Sequence, residues 1–246
     1  DNTSISCETI DYGPCAFMDS YEANKVFSSI DQYGRYAFSN QSRVAPWNLS
    51  RLAETILFLI SKNTSDAIKV VEEILFDFDK NFNNSLDILI SHKLGFKNNS
   101  KKTSSLYSEL LNLMEAGKAD FTGTFKSLKA TLIKEDDTIF LNNFRNSDEE
   151  NLHAVSQWLG NWRKLLQEIS KSKTEAIELL SSSNPEFIMR NHLVEQAIGK
   201  ATKGDFSDFE ILCDLLITPF EVKENHETFY NAPRDSEVVH QTFCGT

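Results

Sequence analysis

Asp1, Asn2 and Asp11 are the residues near the start of the chain whose side chains can hold a metal ion or a proton. Asp11 opens Asp-Tyr-Gly-Pro, directly behind the run Glu8-Thr9-Ile10. Magnesium takes hard oxygen ligands, usually one or two from the protein, with water and phosphate completing the octahedron. Asn2 and Asp11 meet that need if a strand and a turn bring them together. Asp1 beside such a site can orient and deprotonate an attacking hydroxyl. Each residue also has a plainer use. Asp11 starts a turn through its own side chain, and Asp1 is a charged chain end.

Further along, Arg190-Asn-His192 and Glu195 form a polar cluster beside the Asn184-Pro185 turn. His192 there is a candidate acid or base, although a packed histidine satisfied by a carbonyl is the commoner outcome. Arg35 suits a phosphate or substrate contact, and equally an ion pair. Cys7, Cys15, Cys213 and Cys244 show no Cys-x-x-Cys spacing, which argues against a zinc site. So few cysteines in a long chain fit a reducing compartment. Trp47, Trp158 and Trp162 lie on apolar helix faces, where core packing is the expected use.

The elements that position these groups are mostly helices. Residues 1–46 lack helical period and are punctuated by Tyr12-Gly-Pro14, Gly34 and Pro46, so they read as a short strand near residues 8–10 and then a long loop. From Trp47 the apolar residues Leu49, Leu52, Ala53, Ile56 and Ile60 mark one helix face. A second helix follows over residues 67–78 with Ser65 as N-cap, and a third over 82–93 ends at Gly95. Residues 98–105 read as a loop and Gly117 closes the next helix. Residues 120–128 begin a short helix, and 134–144 have no clear period. Ser147-Asp-Glu-Glu150 reads as a capping box before a long amphipathic helix, whose inward face is Leu152, Val155, Trp158 or Leu159, Trp162, Leu166 and Ile169. Ser172-Lys-Thr-Glu175 reads as a second box. Two more helices are separated by Gly204, and Pro219 ends the last. The expected organisation is residues 1–46, a helical body over 47–220, and an extended tail over 221–246.

At 246 residues with 40% hydrophobic content, the chain has ample material for a core. Its net charge of −11 and lack of a basic run argue against nucleic acid as a main partner. No apolar run approaches the roughly 20 residues of a membrane span.

Several long blocks together resemble the selenoprotein O family, also called YdiU-like or UPF0061. They are Asp11-Tyr-Gly-Pro-Cys-Ala-Phe-Met-Asp19, Gly34-Arg-Tyr-Ala-Phe-Ser-Asn-Gln41, Trp47-Asn-Leu-Ser-Arg-Leu-Ala53, Trp158-Leu-Gly-Asn-Trp-Arg163 and Asn184-Pro-Glu-Phe-Ile-Met-Arg-Asn-His-Leu-Val-Glu-Gln-Ala-Ile198. Gly204-Asp-Phe206, Pro219-Phe220 and Thr242-Phe-Cys-Gly-Thr246 complete the series. The resemblance implies a mainly α chain, the large lobe of a protein-kinase-like fold with a helical extension and the small lobe missing. It implies a protein adenylyltransferase that moves AMP from Mg-ATP onto Ser, Thr or Tyr hydroxyls of protein substrates. By the same resemblance Asp1 is the catalytic aspartate, and Asn2 and Asp11 hold Mg2+, or Mn2+ in its place, with Asp11 contacting the nucleotide-bound metal. Protein kinases use an Asp-Phe-Gly aspartate and an upstream asparagine in that way. Here Asp1 and Asn2 are adjacent, so the kinase spacing does not map one to one.

The family's amino-terminal half, with its ATP-contacting lobe, is then the expected partner of this chain, and the isolated chain is expected to be inactive. The alternative is an inactive helical fragment or interaction module from a split or decayed gene. The resemblance further implies a redox pair between near-terminal Cys244 and the activation-like segment. Phe27 stands at the usual partner position, and Cys15 is the candidate on the same segment. Cysteine in place of selenocysteine and the lack of a presequence give a bacterial cytoplasmic protein as the expectation.

Overall fold

The structure, a computed structural model, describes residues 16–145, 147–170 and 172–242. The described chain is helical, with no strand. An isolated antiparallel bridge joins Ser20 to Asp120. The helices are α1 (Gln41–Ile60), α2 (Thr64–Lys93), α3 (Lys101–Ala116), α4 (Phe121–Lys134), α5 (Thr138–Leu141), α6 (Glu149–Ile169), α7 (Lys173–Ser183), α8 (Asn191–Ala201) and α9 (Ser207–Ile217).

The helix starts show which local chemistry wins. α1 begins at Gln41, six residues before Trp47, and carries Pro46 within its second turn. The segment expected to hold two helices between residues 67 and 93 is one continuous helix, α2. Its cap is Asn63, whose side-chain oxygen accepts from the Ser65 amide at 3.0 Å, so Ser65 is not the cap. α3 starts inside the expected loop because Ser100 and Thr103 form a capping box. At α6 the cap is Asp148, not Ser147: the Asp148 carboxylate accepts from the Asn151 amide at 2.8 Å, while Ser147 donates to the Asn151 side chain. Ser172 caps α7 as expected, but Glu175 turns away to pair with Lys97 instead of closing a box.

The described residues divide into two compact units. One comprises residues 23–86 and the other residues 16–22 and 87–242. The larger unit has a dense core. Trp162, Phe96, Phe125, Phe140, Leu110 and Met114 are fully buried there. Phe140 stacks on Trp158 and Trp158 on Trp162, at centroid separations of 5.7 and 6.3 Å. Both indole N–H groups are satisfied: Trp158 donates to the Leu106 carbonyl at 2.8 Å and Trp162 to the Leu94 carbonyl at 2.9 Å. Of the expected inward face of α6, Ile169 is instead exposed. A satellite cluster of Phe187, Leu193, Ala197, Leu212 and Leu215 joins α8 to α9. Residues 218–242 run back over this unit through short 3-10 turns at Glu227–Tyr230 and Asp235–Glu237. Arg145 holds them by donating to the Pro233 carbonyl at 2.6 Å.

The smaller unit is built from residues 23–40 and the helices α1 and α2 up to residue 86. Its described buried hydrophobic residues are Ala37 and Ala67. Trp47, expected in a core, is 44% exposed, with the Arg35 guanidinium 4.2 Å over its ring.

Candidate functional site

The chain leaves the Asp-Tyr-Gly-Pro motif and enters the larger unit as a short strap, Phe17 to Tyr21. Every part of that strap is tied down. Asn191 grips Phe17 like a strand partner: its side-chain oxygen accepts from the Phe17 amide and its side-chain amide donates to the Phe17 carbonyl, both at 2.9 Å. The Tyr21 amide donates to the Ala119 carbonyl at 2.8 Å and the Phe121 amide to the Asp19 carbonyl at 2.7 Å. The Tyr21 ring stacks on Phe121 at 5.8 Å.

Arg190 is the centre of this arrangement. It stands at the N-cap position of α8, where its side chain makes no capping bond and turns inward instead. Its guanidinium donates to Asp19 at 2.6 Å, and to both oxygens of Asp120 at 2.7 and 2.9 Å. The Arg190 side chain is only 4% exposed. Burial alone would lower its pKa. The hydrogen bonds and charge of Asp120, then those of Asp19, outweigh that and raise it. Arginine fits here because its planar fork matches a carboxylate bidentately and still reaches a second acceptor.

Asp120 works twice. It caps α4, accepting from the Gly123 amide at 2.6 Å, while it binds Arg190. Gly123 permits this close approach: a Cβ there would lie 2.6 Å from the Asp120 oxygen and 2.3 Å from the Asn143 side-chain oxygen.

The surroundings are polar and largely paired. Lys129 forms an ion pair with Glu186, and Lys126 donates to the Glu186 carbonyl at 3.3 Å. Burial holds the Lys126 pKa below its usual range. His192 Nδ1 is buried and has no hydrogen-bond partner, contrary to the expected carbonyl-satisfied histidine. Desolvation lowers its pKa, against the opposing pull of Asp19. Lys93, which sequence reasoning missed, donates to Asn184 at 2.9 Å and lies 4.4 Å over the Phe125 ring, and burial lowers its pKa to about 8. Asn184 in turn donates to the Lys93 carbonyl at 2.9 Å.

This set of groups holds a segment in place. Arg190 and Asn191 hold the strap, Asn184 holds Lys93, and His192 lies beside them with Nδ1 unpaired. Asp1, Asn2, Asp11, Cys15 and Cys244 lie outside the described residues. Arg35 and Arg43 line a cavity of about 550 Å³ in the smaller unit with Tyr33 and Trp47, while the Asp31 carboxylate accepts from the Arg35 and Tyr36 amides. Cys213, on α9, is a free, exposed thiol. Among the described residues no group of three or more His, Cys, Asp or Glu is placed to hold a metal ion. No described helix is long and apolar enough to cross a membrane.

Residues 1–217 match the family described as protein adenylyltransferase SelO, and the chain belongs to that family. It is similar to the protein nucleotidyltransferase YdiU of Rhizobium meliloti (strain 1021), 42% identical over 248 aligned residues that cover 100% of this chain and 50% of that protein. The YdiU protein of Clostridium botulinum (strain Okra / Type B1) is 41% identical, with 100% and 48% covered. That of Pelagibacter ubique (strain HTCC1062) is 40% identical, with 100% and 49% covered. The chain thus spans about half the length of the curated relatives it matches.

Proposed function

We propose that the polypeptide represented by this chain transfers AMP from ATP to Ser, Thr or Tyr hydroxyls of proteins. The match to the protein adenylyltransferase family over residues 1–217 carries this reading. In it, the helical body is the large lobe of a kinase-like fold, and the ATP-contacting small lobe belongs to the part of the family polypeptide outside this chain. The isolated chain is then inactive. The enzyme works in the bacterial cytoplasm, which suits a long chain with so few cysteines.

Asn2 and Asp11 are the residues that would hold Mg2+, or Mn2+. Their amide and carboxylate oxygens are the hard donors such ions take, and the donor set leaves room for water and phosphate. When bound, the ion neutralises phosphate charge. Asp1 accepts the proton of the attacking protein hydroxyl, which bonds to the α-phosphorus as pyrophosphate leaves. The strap's role is positional: Arg190 and Asn191 fix Phe17 and Asp19, a few residues beyond Asp11. Cys244 and Cys15 form the redox pair that would regulate the segment.

The test is label transfer by a full-length protein carrying this sequence. Label from α-phosphate-labelled ATP should appear on protein, and Asp11→Ala should reduce it by at least about 100-fold. Undiminished transfer in Asp11→Ala would sink the assignment. Transfer of γ label in place of α label would make the enzyme a phosphotransferase.

A further inference from the structure

The cavity of about 550 Å³ in the smaller unit combines positive charge with exposed apolar side chains. Arg35 and Arg43 supply the charge, and Ile30 and Tyr33 beside them are 62 and 96% exposed. Residues 23–53 carry the cations Lys25, Arg35, Arg43 and Arg51 against the single acid Asp31. The whole chain has a net charge of −11, so this stretch is a local reversal of sign.

The loop that carries Arg35 is pinned by its own side chains. Asp31, the carboxylate in the cavity lining, uses both oxygens to accept from the Arg35 and Tyr36 amides, each at 2.8 Å. Gly34 has φ +62°, a conformation glycine adopts without strain, and its carbonyl accepts from the Asn40 side chain at 2.8 Å. The Arg35 guanidinium is held over the Trp47 ring. Arg43 stands one turn before Trp47 on α1. It is exposed and makes no hydrogen bond or ion pair among the described residues. Arg51, one turn beyond Trp47, is already paired with Glu54 at 2.5 Å.

This lining suits an anion with an apolar neighbour. Nucleic acid and anionic membranes are matched by extended arrays of cations, about four to eight in a membrane-binding cluster. Here Arg35 and Arg43 alone line the cavity as cations. A carboxylate side chain is an anion of the right size, and a guanidinium binds it with matched geometry. We propose that the cavity docks an acidic segment of the acceptor protein. A glutamate or aspartate carboxylate binds Arg43 and Arg35, and an adjacent apolar side chain lies against Ile30 and Tyr33. Arg43 is thereby a specificity-determining residue. Assigning the segment to the acceptor rests on the proposed transfer to protein hydroxyls, whereas the binding itself does not.

Fluorescence anisotropy with the full-length protein carrying this sequence, in the absence of nucleotide, tests it. The probe is a fluorescein-labelled hexapeptide of alternating glutamate and leucine, and the control replaces glutamate by glutamine. The glutamate peptide should bind at least about 10-fold tighter than the control. Arg43→Glu should weaken that binding by at least about 10-fold, and Arg43→Gln should weaken it by a smaller factor. Lys62→Glu, the same charge change at another exposed position of this unit, should leave it within about twofold. Equal affinity for the two peptides would overturn the proposal. Equal weakening by Arg43→Glu and Lys62→Glu would overturn it too, because the effect would then be one of overall charge. Tighter binding of a thymidylate decamer, or of phosphatidylserine vesicles, would overturn it in favour of nucleic acid or a membrane. The glutamate peptide should also inhibit label transfer to protein, and the glutamine peptide should not. Binding without inhibition of an active enzyme would overturn the assignment to the acceptor. Because binding is read without nucleotide, its failure is separable from failure of the proposed transfer.

Discussion

The two units use similar raw material to opposite ends. In the larger one, apolar residues at helical spacing meet one another: Trp158, Trp162, Phe140 and Leu110 are all buried or nearly so. In the smaller one, Leu49, Ile60, Ile74 and Leu86 have the same spacing and stay exposed. Helix propensity and pattern are satisfied in both. What differs is the presence of a facing element, and most helix stability in proteins comes from packing of the apolar face and not from propensity. A periodic apolar stripe therefore reports that a helix is meant to be covered. It does not report that the cover is in the same chain.

Substitutions can break or sharpen this contrast. The largest effect is expected at the larger unit's ionic centre. Arg190→Ala leaves a buried Asp120 and a partly buried Asp19 without their cation, and it should cost about 3–5 kcal/mol in urea unfolding. A loss under about 1 kcal/mol would mean that the strap is not anchored there. Trp162→Phe keeps most of the apolar contact but strands the Leu94 carbonyl. The expected loss is about 1–3 kcal/mol by the same measurement. A neutral result would show that the core tolerates unsatisfied groups and weaken its contrast with the smaller unit.

Lys93 gives a pH-dependent test. Its pKa is lowered from 10.5 to about 8 in the folded chain. Between those values the unfolded chain binds more protons, so stability rises with pH across that window and the deficit grows back as pH falls toward 8. Thermal melts of wild type from pH 8 to pH 10 should show this rise, and Lys93→Met should flatten it. An unchanged slope in the variant would remove Lys93 as its source. The smallest effects belong to the smaller unit. Phe58→Ser and Phe76→Ser should each change the stability of the isolated chain by less than about 0.5 kcal/mol. A larger loss would show that these rings already have a core of their own.

Much of this was legible in the sequence, for identifiable reasons. The period of α6 named Val155, Trp162 and Leu166 correctly and left Trp158 or Leu159 as alternatives, both of which are buried, because the element that faces them lies in the same chain. Capping signals found the neighbourhood of helix starts but chose the wrong residue at Asn63 and Asp148, since adjacent polar residues compete for the same amide. The Arg190 cluster was visible as a dense polar run. Its partners were not, because Asp19 and Asp120 lie 171 and 70 residues away. Lys93 was missed, because nothing local in the sequence shows that Phe121 and Phe125 would lie beneath it. The blocks that carry the family resemblance contain Asp19, Trp158, Trp162, Asn184, Arg190 and Asn191, so they include much of the packing and anchoring framework. The catalytic and metal candidates fall outside the described residues, and their support is the family match.

The reach of the Arg190 clamp sets an order of assembly. The strap's Asp19 and its anchor Arg190 are 171 residues apart in the chain. Closing so long a loop is costly before other contacts form, while α3 with α6 and α4 with α7 pair across shorter separations. The strap therefore docks late, after α8 has emerged and turned its arginine inward. Pulse-labelled exchange during refolding should protect the Tyr21 amide after those of α6, and protection in the reverse order would contradict this sequence of events.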